Sequence, residues 1–257
     1  MRRTACLLAA GLALALSPVV ATQQQHNVAP QGWTSLFNGN DLTGWKIPEG
    51  DNGHWKVLQV DGSGVIDYDA SSEAPGNKSL WSERSFRDYE ARLDWRIKET
   101  PYISRNMRIV LPDGTDKRDA NGEVIRITAP DSDSGFIQRG HGKAQLNIWN
   151  WPVGSGEMYG YRTDQNSSPE LRRAATPITN ADKNIGEWNT FEVTVRGNTL
   201  SLKNNGIVVI PSITLPDLPA EGPLGLQHHG GPKGPDGQYT GIPALLQFRN
   251  IFVRELQ

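Results

Sequence analysis

Cysteine is almost missing from this chain. Its single example, Cys6, lies in the first few residues, so the rest of the chain has no disulfide framework, cysteine metal site or thiol chemistry. Long apolar runs are missing after the N-terminus, and no later segment is apolar enough to cross a membrane as a helix. No run of lysine or arginine stands out. The 26 basic residues face 28 acidic ones, a balance that gives no support to nucleic-acid or anionic-membrane binding. Metal motifs of fixed spacing are absent: there is no His-x-x-x-His and no EF-hand loop. Scattered His, Asp and Glu leave a divalent metal open, and no cofactor is certain.

Residues 1–21 have the form of a signal peptide. Arg2 and Arg3 supply a positive start, Cys6 to Leu16 an apolar run too short for a bilayer, and Val19-Val20-Ala21 a small-residue cleavage site. Cys6 is inside the leader with no lipidation signal after it, so the expected product is an exported protein, periplasmic or secreted, without disulfides. Its length is enough for a core of its own. Residues 22–32 are polar and read as a flexible lead-in, followed by one domain over 33–257.

What is abundant is glycine, proline and tryptophan: 27 Gly, 17 Pro and 8 Trp. Strand signals run from end to end and helix signals hardly occur. Tyr89 to Lys98 alternates strictly, with Tyr89, Ala91, Leu93, Trp95 and Ile97 on one face and charged residues on the other, the period of a half-buried antiparallel strand. Asp61-Gly62, Gly197-Asn198 and Asn205-Gly206 sit between apolar runs as hairpin turns. Ser134 to Arg139 and Gln145 to Asn150 are two short strands, Leu224 to His228 and Leu246 to Arg254 two more. Pro169 to Ala175 is the one helical candidate. Short strands with regular turns predict an all-β antiparallel sandwich or jelly roll.

The stretch Ser35-Leu36-Phe37-Asn38-Gly39-Asn40-Asp41-Leu42-Thr43-Gly44-Trp45 reads on its own as strand–turn–strand with a buried tryptophan. As a string it resembles the opening of the 3-keto-disaccharide hydrolase domain family. Further matches follow in order: Leu80-Trp81-Ser82-Glu83, Asp88 to Arg96, Ser134-Gly135-Phe136-Ile137-Gln138-Arg139, Glu157-Met158-Tyr159-Gly160, Gly186-Glu187-Trp188-Asn189, Leu224 to Gly230, and Phe248-Arg249-Asn250-Ile251. The chain departs from the family pattern twice. Residues 100–131 look like an insertion. The strand Gln145 to Asn150 carries amides where many members have carboxylates, so a role held by an acid there does not transfer.

The resemblance implies a concanavalin-like jelly-roll sandwich acting on an oligosaccharide or glycoside already oxidised to a ketone at C3. The ketone acidifies the C2 proton, a base removes it, the C1 substituent leaves by β-elimination, and water can add to the 2-hydroxy-glucal. The chain lacks a Gly-x-Gly-x-x-Gly dinucleotide motif, so a separate oxidoreductase would have to supply the ketone. On this basis His229 is the expected general base or metal ligand and Glu157 a second acid–base group. Arg139, Gln145, Asn147, Trp149, Trp151, Tyr159, Gln227 and, more weakly, Glu83 are expected to bind the sugar, with amides bonding hydroxyls and tryptophans stacking on rings. Each has an ordinary alternative: a loop histidine bonded to backbone, a turn carboxylate, a structural salt bridge, core tryptophans. Two other functions fit the same composition. A lectin-like module would need the amides and aromatics without converging ionisable groups. A classical glycosidase of this fold would need paired carboxylates at Glu-x-Asp-x-x-Glu spacing, which the chain lacks.

Overall fold

Asp61 and Gly62 both take positive φ, 52° and 74°, and place Val60 opposite Ser63. A two-residue turn of this hand matches the twist of the strands it joins. Asn205 and Gly206 repeat the device at φ 54° and 78°. Such turns, with the period-two apolar pattern, build nearly the whole molecule.

The computed structural model describes residues 25–257; the expected leader lies outside them. In chain order the strands are β1 (Thr34–Ser35), β2 (Trp45–Lys46), β3 (Trp55–Val60), β4 (Ser63–Tyr68), β5 (Leu80–Phe86), β6 (Tyr89–Ile97), β7 (Tyr102–Arg108) and β8 (Arg126–Asp131). They continue as β9 (Asp133–Ile137), β10 (Gln145–Trp149), β11 (Asn189–Arg196), β12 (Thr199–Asn204), β13 (Ile207–Thr214), β14 (Gly222–Leu226) and β15 (Leu246–Glu255). Two short helices, α1 (Tyr159–Arg162) and α2 (Pro169–Ala174), follow β10. Ser168 caps α2 by accepting from the Leu171 N–H, with Pro169 at its first position.

The large sheet runs β13-β12-β11-β6-β15-β4-β3, with β1 also on β15, and the small sheet runs β10-β9-β14-β5-β2. Every pairing is antiparallel. Between the two sheets, the alternating face of β6 meets Phe136 of β9, Leu146 and Ile148 of β10, and Leu224 and Leu226 of β14, all buried. Each such large apolar side chain contributes about 1.5–3 kcal/mol on burial. This is the antiparallel jelly-roll sandwich of concanavalin type. Among the described residues no helix is long and apolar enough to cross a membrane.

The opening motif is part of that core. Phe37 and Trp45 are buried, and the Trp45 indole N–H donates to the Leu36 carbonyl at 2.7 Å. A Cβ on Gly64 would stand 1.7 Å from the Gly39 carbonyl oxygen, so the two backbones touch where only glycine fits. The lead-in needs a correction over its described part, residues 25–32. Asn27 is buried there and exchanges two bonds with Asn250 of β15, at 2.7 and 2.8 Å. Expected to be flexible, it is bonded into the large sheet. The segment 100–131 forms a separate two-stranded ribbon, β7 with β8, whose last residue, Asp131, is buried beside the small sheet.

Candidate active site

Strand register puts the polar groups together. In β10 the even residues Leu146 and Ile148 enter the core, so Gln145, Asn147 and Trp149 share the opposite face. Across the ladder these three face Ile137, Gly135 and Asp133 of β9. On the other side of β9, Leu226 pairs with Phe136, which places Gln227 beyond the end of β14 on the same outer face. A cavity of about 400 Å³ stands on this face, walled by Asp133, Gln145, Asn147, Gln227 and His229, with Trp149, Trp151 and Tyr159 on its aromatic side. Seven of the residues expected to act on the sugar therefore line one cavity: His229, Gln145, Asn147, Trp149, Trp151, Tyr159 and Gln227.

Three others lie elsewhere. Glu157 is fully buried and ion-paired to Arg162 of α1, which also holds Asp116 at 3.0 Å. Its backbone borders β10, accepting from the Asn147 N–H at 3.0 Å. Gly156 lies so close to Leu202 that a Cβ would approach to 2.4 Å, and the carboxylate turns inward rather than to the cavity. Arg139 takes φ 47° and is sealed, donating to the carbonyls of Gly197 and Pro219 at 2.7 and 3.0 Å and to Asp88 at 3.1 Å. Glu83 is exposed on β5, off the cavity wall. Glu157 and Arg139 are thus held in structural ion pairs, and neither reaches the cavity as the acid–base and sugar-binding groups expected of them.

The amides have a fixed direction. The Gln145 side-chain NH2 donates to Asn147 Oδ1 at 2.5 Å and to Gln227 Oε1 at 2.8 Å. Both neighbours then have their acceptors occupied and their NH2 groups free to donate to a ligand. Gly135 makes room: a Cβ there would stand 2.5 Å from Gln145 Cγ. On the aromatic side Trp149 and Trp151 stack at 4.3 Å and 4°, and Tyr159 meets Trp149 edge-on at 6.1 Å. Trp149 is buried, so the half-exposed Trp151 is the rim platform. Its indole N–H donates to Asp131 Oδ2 at 3.2 Å, and the neighbouring Asn150 bonds the Pro130 carbonyl at 2.9 Å. The ribbon therefore holds the platform by its root.

His229 is oriented by backbone. Its Nδ1 lies 2.7 Å from the Ile242 carbonyl oxygen, which can only accept, so Nδ1 carries the proton and Nε2 has the lone pair. Nε2 stands 3.4 Å from Asp133 Oδ2. Burial pushes the Asp133 carboxyl up to about 6, against the opposing pull of His229. Asp131 is likewise raised to about 6, by burial first, with the Trp151 N–H pulling down and the Asp133 charge adding to the rise. Sequence reasoning missed Asp133 because Asp131-Ser132-Asp133 looks like the tail of a polar insertion. The signal was present in the period of two: Asp133 precedes Gly135 by two residues and so shares the amide face.

His228 faces a different neighbour. Tyr68 hydrogen-bonds its Nδ1, and burial, helped by the Lys78 charge, brings its pKa down to about 4. Among the described residues no cluster of three or more His, Cys, Asp or Glu is arranged to hold a metal ion.

The family described as the 3-keto-alpha-glucoside-1,2-lyase-like domain matches residues 32–254. The chain belongs to that family. It is thereby a carbohydrate-active domain. Among solved structures, a putative glycosyl hydrolase from Parabacteroides distasonis is 18% identical, covering 91% of this chain and 100% of its own at TM-score 0.56. A second from the same organism is 20% identical, covering 87% and 99% at TM-score 0.47. A Bacillus licheniformis beta-glucanase is 11% identical, covering 84% and 94% at TM-score 0.42. At these identities the likeness is one of fold. Curated proteins give no match.

Proposed function

We propose that this domain cleaves 3-keto-glycosides by β-elimination, with the His229–Asp133 pair as the base. The observation that carries the reading is the Nε2 lone pair, set by the Ile242 carbonyl and held beside a carboxylate in a cavity lined with amide donors. His229 Nε2 takes the C2 proton, and the C–H electron pair becomes an enolate on the C3 oxygen. The NH2 groups of Asn147 and Gln227 suit that oxygen, since fixed donors favour developing negative charge, and Asp133 offsets the charge of the imidazolium. As the ketone re-forms, C1=C2 is made and the C1–O bond breaks. The leaving oxygen takes that proton back from the His229 imidazolium and departs as an alcohol, which restores the neutral base. Addition of water across C1=C2, hydroxyl to C1 and hydrogen to C2, completes a net hydrolysis.

The ketone comes from a separate oxidoreductase, and the protein works outside the cytoplasm after loss of its leader. Both parts rest on the sequence alone. The test is incubation with a 3-keto-glycoside and its unoxidised parent. Turnover of the ketone alone, with exchange or a primary isotope effect for deuterium at C2, supports elimination. Hydrolysis of the parent rejects it for a classical glycosidase. The same amide and tryptophan wall also serves a lectin-like role, which binding of the ketone without turnover would select.

A further inference from the structure

The aromatic wall of the cavity is braced by the β7–β8 ribbon. Trp151 lies past the end of β10, in a loop that turns back where Gly154 donates to the Trp151 carbonyl at 2.9 Å. A side chain on such a loop is free to rock unless something fixes it. Trp149 covers one face of the indole by stacking at 4.3 Å. The neighbouring Asn150 donates to the Pro130 carbonyl at 2.9 Å, and the indole N–H to Asp131 Oδ2 at 3.2 Å. Pro130 and Asp131 are the last two residues of β8. The ribbon is itself pinned at its far end. Between β7 and β8, Gly114 takes φ 83° and lies so close to α2 that a Cβ would stand 2.7 Å from the Arg172 carbonyl oxygen. Asp116 holds Arg162 at 3.0 Å, and that guanidinium stands 5.5 Å from the centre of the Tyr159 ring. The ribbon is therefore fixed at two points and meets the aromatic wall at both. It also lies where the chain departs from the family pattern, so its residues inherit no role.

We propose that Asp131 is a positioning residue: through the indole N–H it holds Trp151 at the angle where a sugar ring stacks, so the ligand meets a platform already ordered. The inference rests on the cavity taking a sugar and not on the elimination step. A ring left free to rock would have to be immobilised on binding, and that ordering weakens affinity. The choice of residue fits this role better than a packing role. Asp131 is fully buried, and burial pushes its carboxyl up to about 6, so near neutrality the fold carries a buried charge that lowers its stability. What the charge adds is a firmer acceptor, since a hydrogen bond to an ionised group is stronger than one between neutral groups.

The test titrates methyl α-glucoside, which elimination leaves intact, against four variants and the wild type by calorimetry. Asp131→Ala should bind about fivefold more weakly, the worth of ordering one side chain. Asp131→Asn keeps an acceptor for the indole and drops the charge, so it should recover to within about twofold of the wild type. Trp151→Phe keeps an aromatic face but has no N–H for Asp131 to hold. Adding Asp131→Ala to it should therefore cost nothing further, a coupling that a general loss of stability would not produce. Wild-type affinity in Asp131→Ala, or the full loss repeated in the Trp151→Phe background, overturns the proposal. An Asp131→Asn as weak as the alanine variant overturns it in favour of a direct charge effect on Asp133. An Asp131→Ala chain that does not fold makes the residue structural, which overturns it too. No saturation of the wild type removes the proposal together with the sugar reading, whereas a failure of elimination appears separately, as absence of product from the 3-keto sugars.

Discussion

The molecule keeps two kinds of acid–base pair, and they differ in what they face. Glu157–Arg162 and Arg139–Asp88 are closed: Glu157 and the two arginines are sealed from solvent and bonded to their partners. Asp133–His229 is open: its atoms stand 3.4 Å apart on a cavity wall, and the histidine side chain keeps 37% of its surface exposed. Glu157 and Arg139 of the closed pairs and His229 of the open one all sit in segments that match the family pattern. A charged residue in a matching segment is therefore no guide to chemistry until its surroundings are known. In the closed pairs the protein supplies every partner. In the open pair both side chains also face the cavity.

The largest expected effect lies on the open side. His229→Ala should lower turnover of a 3-keto-glycoside by roughly 10²–10⁴-fold, the range for a lost general base, while binding through the amides persists. Steady-state kinetics beside calorimetry check this, and a loss below tenfold would remove His229 from the chemistry. On the closed side Glu157→Ala should cost about 1–3 kcal/mol of stability, the range for a buried donor left unpaired, since Arg162 keeps Asp116, and this is seen as a fall in Tm. Turnover per folded molecule should stay within about twofold. Lost turnover at native Tm would erase the distinction between the two kinds of pair.

The third effect is a pH dependence peculiar to the open side. Asp133 and Asp131 hold protons up to about 6 in the folded state, above the ordinary 3.8. Their contribution to stability is thus full below the ordinary carboxylate value and is lost as pH rises through about 6. Asp133→Asn should flatten the plot of Tm against pH between about 4 and 7. Because Asp133 and His229 interact, the acid limb of kcat/KM should move with the pair as a unit. An unchanged slope would mean the carboxyl is not perturbed. The smallest effect is Gln227→Ala, which leaves Asn147 as the remaining donor to the enolate and should lower kcat about fivefold, the worth of a single hydrogen bond, with KM little altered.

Much of the fold is legible in the sequence because its signals are local. The alternation of β6, the Asp61-Gly62 and Asn205-Gly206 turns and the capped helix at Pro169 each need only a few neighbouring residues. The same period of two finds Gln145, Asn147 and Trp149 on one face. What the sequence does not show is set by distant partners. Arg139 is sealed by carbonyls from Gly197 and Pro219, and Glu157 by an arginine on a four-residue helix that carries no cap signal. Asn27 looks like part of a polar tail, and its fate depends on Asn250 at the far end of the chain. Asp133 is the intermediate case, readable by period but hidden in a polar run.

The position of β15 has a consequence for the order of events during synthesis. The last strand to leave the ribosome lies between β6 and β4 in the large sheet. Until residues 246–255 have emerged, both of those strands have an open edge and Asn27 has no Asn250 to meet. The join between the β13-β12-β11-β6 half of the large sheet and its β4-β3 half therefore arrives with β15 alone. A chain stopped just short of β15 is left with two half-sheets whose facing edges are unpaired, and it would be recognised as unfolded rather than tolerated as a slightly shorter protein.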